Sequence, residues 1–379
     1  MRKRLLPISH VFASWIGSAC RFQLRSVMDR LPAVLQQLVM QCLDAPCLPR
    51  LMRCSHSLHR VASSPIAWRY ATVLLTPMAE APHFATRWSR PPFANAPVRL
   101  RLMRQDIPGS ADTWTALLAL PLRLVELDLS RCDLAKAELI PVWLQLLQHP
   151  ALKSVHTVSF PTNVFWNASA TLVSKVMHAV LQLPALTSLA NLKVEVLHPN
   201  ASGVNVNWNG CVKLRKLQAR YSVDRNRLVW VDSIRQCFSH PSLHNLQSLD
   251  MRHWNIPRHE DFYLALHPLQ HLQHLELGAV EPINLLLPGI VRALPALDSV
   301  ALEPANTWRS QPTPLMLQSV LHSAPGLCIV VRLVLQDSDY PFTRYRLEEC
   351  AEEIHSAMRH AGEGDALRTR LRVDDRRGS

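Results

Sequence analysis

LVELDLSRCDL, residues 124–134, sets leucines at 124, 127, 129 and 134 and a cysteine at 132. Apolar and polar residues alternate through it, as on a strand with one face in a core and the other in water. The full spacing returns at Leu246-x-x-Leu249-x-Met251-x-x-Trp254-x-Ile256, with a tryptophan in the cysteine slot. Its first half returns at Leu189-x-x-Leu192-x-Val194, Leu214-x-x-Leu217-x-Ala219, Leu272-x-x-Leu275-x-Leu277, Leu297-x-x-Val300-x-Leu302 and Val330-x-x-Leu333-x-Leu335. A degraded copy surrounds Leu152 and Val155. The starts lie about 25–37 residues apart, so a single supersecondary unit is being repeated.

What precedes each strand is equally repetitive. LIPVWLQLLQHP, SKVMHAVLQLP, VDSIRQCFSHP, DFYLALHP and LPGIVRALP read as amphipathic helices that stop at a proline. The proline ends the helix and turns the chain toward the next strand. His149, His240 and His267 each stand directly before such a proline, where a partly protonated ring would favour the helix's negative pole. The pattern matches the leucine-rich-repeat template, LxxLxLxx(N/C)xL. The expected fold class is α/β: over residues 118–345, a right-handed solenoid of helix–strand repeats with parallel strands on its concave side. Residues 346–360, RLEECAEEIHSAMRH, read as a capping helix, and residues 361–379 as a disordered tail.

With 48% apolar and 18% charged residues, the 379-residue chain can bury a sizeable core. Ten glycines against 28 prolines argue against a Gly-rich nucleotide-binding fold and for short elements separated by proline breaks. A formal charge of +12 raises the question of nucleic acid, but the basic residues run from Arg2 to Arg377 with no aromatic platform among them. Nine irregularly spaced cysteines make no disulfide framework, which points to a reducing compartment, cytoplasmic or nuclear. No stretch approaches the ~18 apolar residues of a membrane span. Residues 1–28 have no acid and read as a disordered basic leader, with organellar targeting as the alternative.

Residues 29–72 form a helical unit of their own. Leu35, Leu38, Val39 and Cys42 share one helix face; Asp44, Pro46 and Pro49 break it. Leu51, Cys54, Leu58, Val61 and Ala62 make a second stripe, Pro65 ends it, and Ile66 and Trp68 add bulk. Three helices in about forty residues hold too little core to stand alone, so their apolar faces need a partner. Residues 73–117 read as a Pro- and Arg-rich connector, in which VRLRLM (98–103) alternates like a first edge strand.

No GxxxxGK[ST], GxSxG, HExxH or GxGxxG occurs, so no enzyme chemistry and no cofactor are expected. Cys47, Cys54, His56 and His59 fit no common zinc spacing. What remains is surface. Residues between the repeat leucines face away from the core, giving a candidate target-binding column of Glu126, Asp128, Lys193, Lys216, Gln218, Arg220, Asp250, Arg252, His274 and Glu276. Mixed charge along such a face selects a protein partner by complementarity.

Residues 31–68 resemble an F-box: a Leu-Pro opening, a leucine-rich helix, a Leu/Pro connector, a second helix and a closing tryptophan. Leu31, Pro32, Leu35, Cys42, Leu43, Pro46, Leu48, Arg60, Ala62 and Trp68 fall on matching positions, while Val34 stands where the family often has Glu and Leu58 where it often has Trp. An F-box followed by leucine-rich repeats resembles the substrate receptors of SCF-type ubiquitin ligases. The resemblance implies that Leu31, Pro32, Leu35, Leu38 and Leu43 contact the SCF adaptor subunit, and through it the cullin scaffold, with Trp68 bracing the box. The repeats would then hold a protein target for ubiquitination. The alternative is a leucine-rich-repeat scaffold with no ubiquitin role.

Overall fold

The computed structural model of the protein describes residues 32, 35–36, 56–62, 71–75, 97–106, 123–133, 140–160, 170–193, 206–220, 231–252, 262–278, 283–303, 313–334, 352–353, 356 and 370–376. The chain divides into two units, Met1–Ala168 with Leu183–Ala185, and Ser169–Gln182 with Leu186–Ser379.

The first unit contains helix α1 (His56–Ala62) and strands β1 (Ala71–Leu75), β2 (Pro97–Asp106), β3 (Arg123–Asp133) and β4 (Thr157–Ser159). The strands lie in sequence order and pair in parallel. Parallel neighbours cannot be joined by a hairpin, and between β3 and β4 helix α2 (Ile140–Leu147) makes the crossover. Residues 73–117, expected to be a connector with a first edge strand at 98–103, supply β2 over that stretch and also most of β1, which pairs outside it. The VRLRLM alternation is the reason for β2. Leu100 pairs with core Leu127, and Arg99 and Arg101 fall in register with Glu126 and Asp128. Sheet pairing therefore begins ahead of residue 118.

The second unit is an α/β, solenoid-like array. Helix α3 (Ala170–Leu181) leads into β5 (Ser188–Lys193), followed by β6 (Lys216–Arg220), helix α4 (Val231–Phe238), β7 (Ser248–Met251) and helix α5 (Phe262–Leu266). Then come β8 (His274–Leu277), helix α6 (Ile283–Ala293), β9 (Ser299–Leu302), helix α7 (Pro314–Ser323), β10 (Cys328–Val334) and β11 (Leu371–Arg376). These strands too are parallel and in sequence order. Among the described residues no helix is long and apolar enough to cross a membrane.

Register tests the repeat frames directly. Leu217, Leu249, Leu275 and Val300 stand in line across β6–β9, as the spacing predicts, and all are buried. Three frames differ. In β5, Leu189 pairs with Leu217 and Leu192 with Ala219, so the repeat starts at Leu186, and the pair Ala190 and Asn191 faces the single Gln218 as a bulge. In β10, Ile329 pairs with Val300 and Val331 with Leu302. The core residues are Leu327, Ile329 and Val331, not Val330. In β4, Val158 pairs with Leu127, and Val155, Val158 and Phe160 are the buried set. Since a one-residue slip exchanges faces, burial selects the frame wherever valine, isoleucine and leucine crowd together.

The helices deviate from expectation in two places. α6 runs back through Pro288 to Ile283, although Pro288 cannot donate a helical N–H. Its next residue, Gly289, lets the backbone approach Tyr263 of α5, whose ring would meet an added Cβ at 2.8 Å. α7 has its own start signal, Thr313 as N-cap and Pro314 as first helical residue, with the Met316 N–H donating to Thr313 Oγ1 at 3.4 Å.

At two of the three His-Pro steps, Pro150 and Pro241, a short 3-10 turn follows (Pro150–Ser154 and Pro241–Leu243); after His267 there is none. His149 Nδ1 accepts from the Ala151 N–H at 3.2 Å, and His240 Nδ1 from the Ser242 N–H at 3.3 Å. These rings therefore serve as caps for the turn that follows. That corrects the expected role at the preceding helix's negative pole, because a nitrogen that accepts an N–H must carry no proton.

The segment expected to be a disordered tail, residues 361–379, contains β11. Ile329 pairs with Leu371 and Val331 with Val373, so LRV continues the apolar rows of β10. Arg370 fixes the entry: its guanidinium donates to the carbonyls of Leu327 (3.0 Å), Leu321 (2.7 Å) and Ala324, at the end of α7 and the turn after it. Of the expected capping helix, Glu352, Glu353 and Ser356 are helical; the rest lies outside the described residues.

Replacing His240 with alanine removes a cap and is expected to cost about 1 kcal/mol, whereas His240→Asn keeps an acceptor at the same place and retains most of it. Thermal melting of the pair checks this; equal losses would mean that His240 acts by packing alone.

Candidate protein-interaction site

On β6–β9 the residues between the buried leucines form two cross-strand rows. Lys216, Ser248, His274 and Ser299 make one; Gln218, Asp250, Glu276 and Ala301 make the other. In the first row Lys216 and His274 are exposed, and His274 Nδ1 lies 2.8 Å from Ser299 Oγ. The second row contains most of the charge.

Arg252, directly after β7, is its centre. Its Nε lies 3.0 Å from Asp250 Oδ1 and 3.0 Å from Glu276 Oε2. Nη2 donates to Asp250 Oδ2 at 2.7 Å, and Nη1 to Glu303 Oε1 at 3.2 Å. Asp250 also accepts the Arg252 backbone N–H at 3.1 Å and the Gln218 amide at 2.7 Å. Burial alone would push the Asp250 carboxyl up. The Arg252 guanidinium and backbone N–H, with Gln218, outweigh that and hold it below the usual carboxylate range. The same pairing with Asp250, against the opposing effect of burial, raises Arg252, helped by Glu276 and Glu303.

Gly278 makes this geometry possible. A Cβ there would overlap the carbonyl oxygen of Arg252, so any side chain at 278 pushes the arginine's backbone off its position.

Four of the ten expected column residues are thus brought together: Gln218, Asp250, Arg252 and Glu276. Glu303, in the position after β9, was missed. Its signal is visible in retrospect, because Arg252, Gly278 and Glu303 each directly follow a strand's last residue. Asp128 instead folds onto its own strand end, accepting the Ser130 N–H at 3.0 Å. Asp128 and Glu126 belong to the first unit. Lys193 and Arg220 pair in register, and their side chains lie outside the described residues.

Of the described cysteines, Cys211 and Cys237 are buried. Burial pushes the Cys211 thiol up to about 12 and Cys237 up as well, so both are small apolar fillers and poor nucleophiles. Among the described residues no three His, Cys, Asp or Glu are set to hold a metal ion. In the carboxylate cluster, Arg252 occupies the centre.

In the amino-terminal stretch, Pro32 is exposed, and its carbonyl accepts the Gln36 N–H at 3.0 Å, one helical turn with proline at its head. Gln36 is buried, while the neighbouring Leu35 is 45% exposed. Leu31, Leu38, Leu43 and Trp68 lie outside the described residues. In α1, His56, His59 and Arg60 are exposed and Val61 is half-buried. Residues 28–70 match the family model of the F-box domain. The F-box covers the region whose small core called for a partner. No curated protein matches the chain.

Two outcomes test the network. Asp250→Asn is expected to cost about 1–3 kcal/mol at neutral pH, since it removes Arg252's closest partner. A carboxyl held low when folded stabilises above its unfolded value of about 4, and that contribution is lost as pH falls through the folded value. The gap between wild-type and Asp250→Asn melting temperatures should therefore be flat above about pH 5 and close below about pH 4. Gly278→Ala should destabilise more than Asp250→Asn, because it displaces backbone.

Proposed function

We propose that this chain is a non-catalytic substrate-recognition adaptor. It docks through its F-box to the adaptor subunit of an SCF-type ubiquitin ligase, and through that subunit to the cullin. The strand array, read as leucine-rich repeats, presents a bound protein for ubiquitination. The F-box match at residues 28–70 carries this reading. The exposure of Leu35 supports it, because a docking helix must keep apolar surface outside its own core. The contribution to the reaction is proximity: a target held on the open sheet face raises the local concentration of its lysines at the ligase. The polar rows on β6–β9 support a protein target, being a rigid platform of mixed charge. The reading carries with it a cytoplasmic or nuclear location.

Co-purification with the adaptor subunit is the test. Wild-type protein should bind at micromolar concentration or better. Leu35→Asp should weaken binding by tenfold or more, about 1.4 kcal/mol, by placing a charge in the apolar contact. Its melting temperature should hold, since Leu35 contributes little to the chain's own core. Wild-type protein that fails to bind the adaptor would remove the ligase reading and leave an interaction scaffold.

A further inference from the structure

Helices α5, α6 and α7 lie side by side in the second unit, α5 against α6 and α6 against α7. Leu286 and Leu287 of α6 are buried, as are Met316 and Leu317 of α7. The residue just before each pair faces the other way: Leu285 is 71% exposed and Leu315 78%. On a helix with one buried face, such a position belongs to a charged or polar side chain. The outward positions of α3 and α4 follow that rule with Lys175 and Gln236, both exposed. In α6 and α7 the rule fails, and the two helices together carry no carboxylate and one arginine, Arg292. Loss of charge from a surface with apolar residues in its place is the composition of an interface core.

A single exposed leucine is ordinary, so what matters is that these two are neighbours. The turns after the helices give their level. The Leu297 N–H donates to the Leu294 carbonyl at 3.2 Å and the Leu327 N–H to the Ala324 carbonyl at 3.0 Å, the same bond in successive repeats. Leu285 and Leu315 each stand nine residues before that carbonyl. The Thr313 N–H donates to Asn284 Oδ1 at 2.8 Å and ties the start of α7 to the start of α6. Leu264 of α5, 44% exposed, stands five residues before the equivalent Leu269, about one helical turn lower.

Size and spacing select the occupant. The three leucines expose on the order of 300 Å² of apolar surface, against the ~800 Å² that each copy brings to a standard interface. That is too small for a stable dimer and enough for one short helix. Packed helices lie about 8–10 Å apart, which sets the distance from Leu285 to Leu315. An extended chain repeats its same-side residues about every 7 Å, whereas residues seven apart on a helix are ~10.5 Å apart along its axis. The helical spacing fits.

We propose that this outer face docks an amphipathic helix of a partner protein, laid across α6 and α7. Apolar residues seven positions apart on that helix rest on Leu285 and Leu315, and Leu264 flanks its end on the α5 side. The helices cover the sheet face opposite the polar rows, so a helix bound here leaves the Arg252 network open. The inference does not rest on the ligase reading.

The test uses the full chain and two fluorescein-labelled eighteen-residue peptides of identical composition, Ala, Lys, Glu and four leucines, matched in helicity by circular dichroism. In one, the leucines stand at positions four, eight, eleven and fifteen, on a single face; in the other they are spread around the helix. By fluorescence anisotropy the striped peptide should bind at least tenfold tighter and keep its affinity as salt rises, since the contact is apolar. The double variant Leu285→Gln, Leu315→Gln should lose tenfold or more of that affinity at an unchanged melting temperature. If it melts well below wild type, the single variants are titrated instead, and each must still weaken binding. Equal binding of the two peptides, absence of striped-peptide binding, or unchanged affinity in the folded variants each overturns the proposal. Analytical ultracentrifugation checks the other occupant: a wild-type dimer that becomes monomeric in the double variant gives the face to a second copy and overturns the proposal as well.

Discussion

A parallel strand cannot turn back on itself, and everything in the array follows from that. Each strand must be followed by a crossover long enough to return the chain to its starting edge, and the crossover must cover the apolar face it leaves behind. Helices α4 to α7 do this in the second unit, and their buried residues, such as Ile234, Leu266, Ile290 and Leu321, meet the strand leucines in one core. Because the crossovers bury one face, the other is left for polar residues. The open face is a by-product of the connection rule, and the candidate site was built on it.

The Arg252 network shows how much such a face can carry. A lone guanidinium at that depth would be costly, and so would three carboxylates without it. Together they offset one another, through hydrogen bonds and ion pairs that link Arg252 to β7, β8 and the residue after β9. The buried Asn191 oxygen, at the head of the same row, has no such partner.

Much of this was legible in the sequence. The alternation of LVELDLSRCDL gave the strand faces, and the proline stops gave the crossovers. The frames of β6 to β9 were readable because each has an apolar residue (leucine, valine, methionine or, at 219, alanine) at each inward position. Those of β5 and β10 were not. In LTSLANLK a bulge inserts one residue, and in LCIVVRLV apolar residues occupy both faces, so the spacing no longer selects a register. The Arg252 cluster was half legible: Asp250 and Glu276 lie within strands, but Glu303 enters from a strand's end. The caps by His149 and His240 were read as charge effects because the sequence shows the proline after them but not the N–H two residues on. The F-box at residues 28–70 was legible by pattern, and of the residues expected to dock it Pro32 and Leu35 are those whose surroundings are described.

The displaced frames also say something about how this array tolerates changes in length. β5 carries one residue more than its neighbours between two core positions, and β10 one fewer between Leu327 and Ile329. In both, the flanking leucines, valines and isoleucines still line up with the next strand. A gained or lost residue is thus absorbed within its own rung and does not slide the rest of the ladder. Single-residue insertions and deletions should behave here as local defects, felt by one repeat, and the array can change its outward side chains without renegotiating its core.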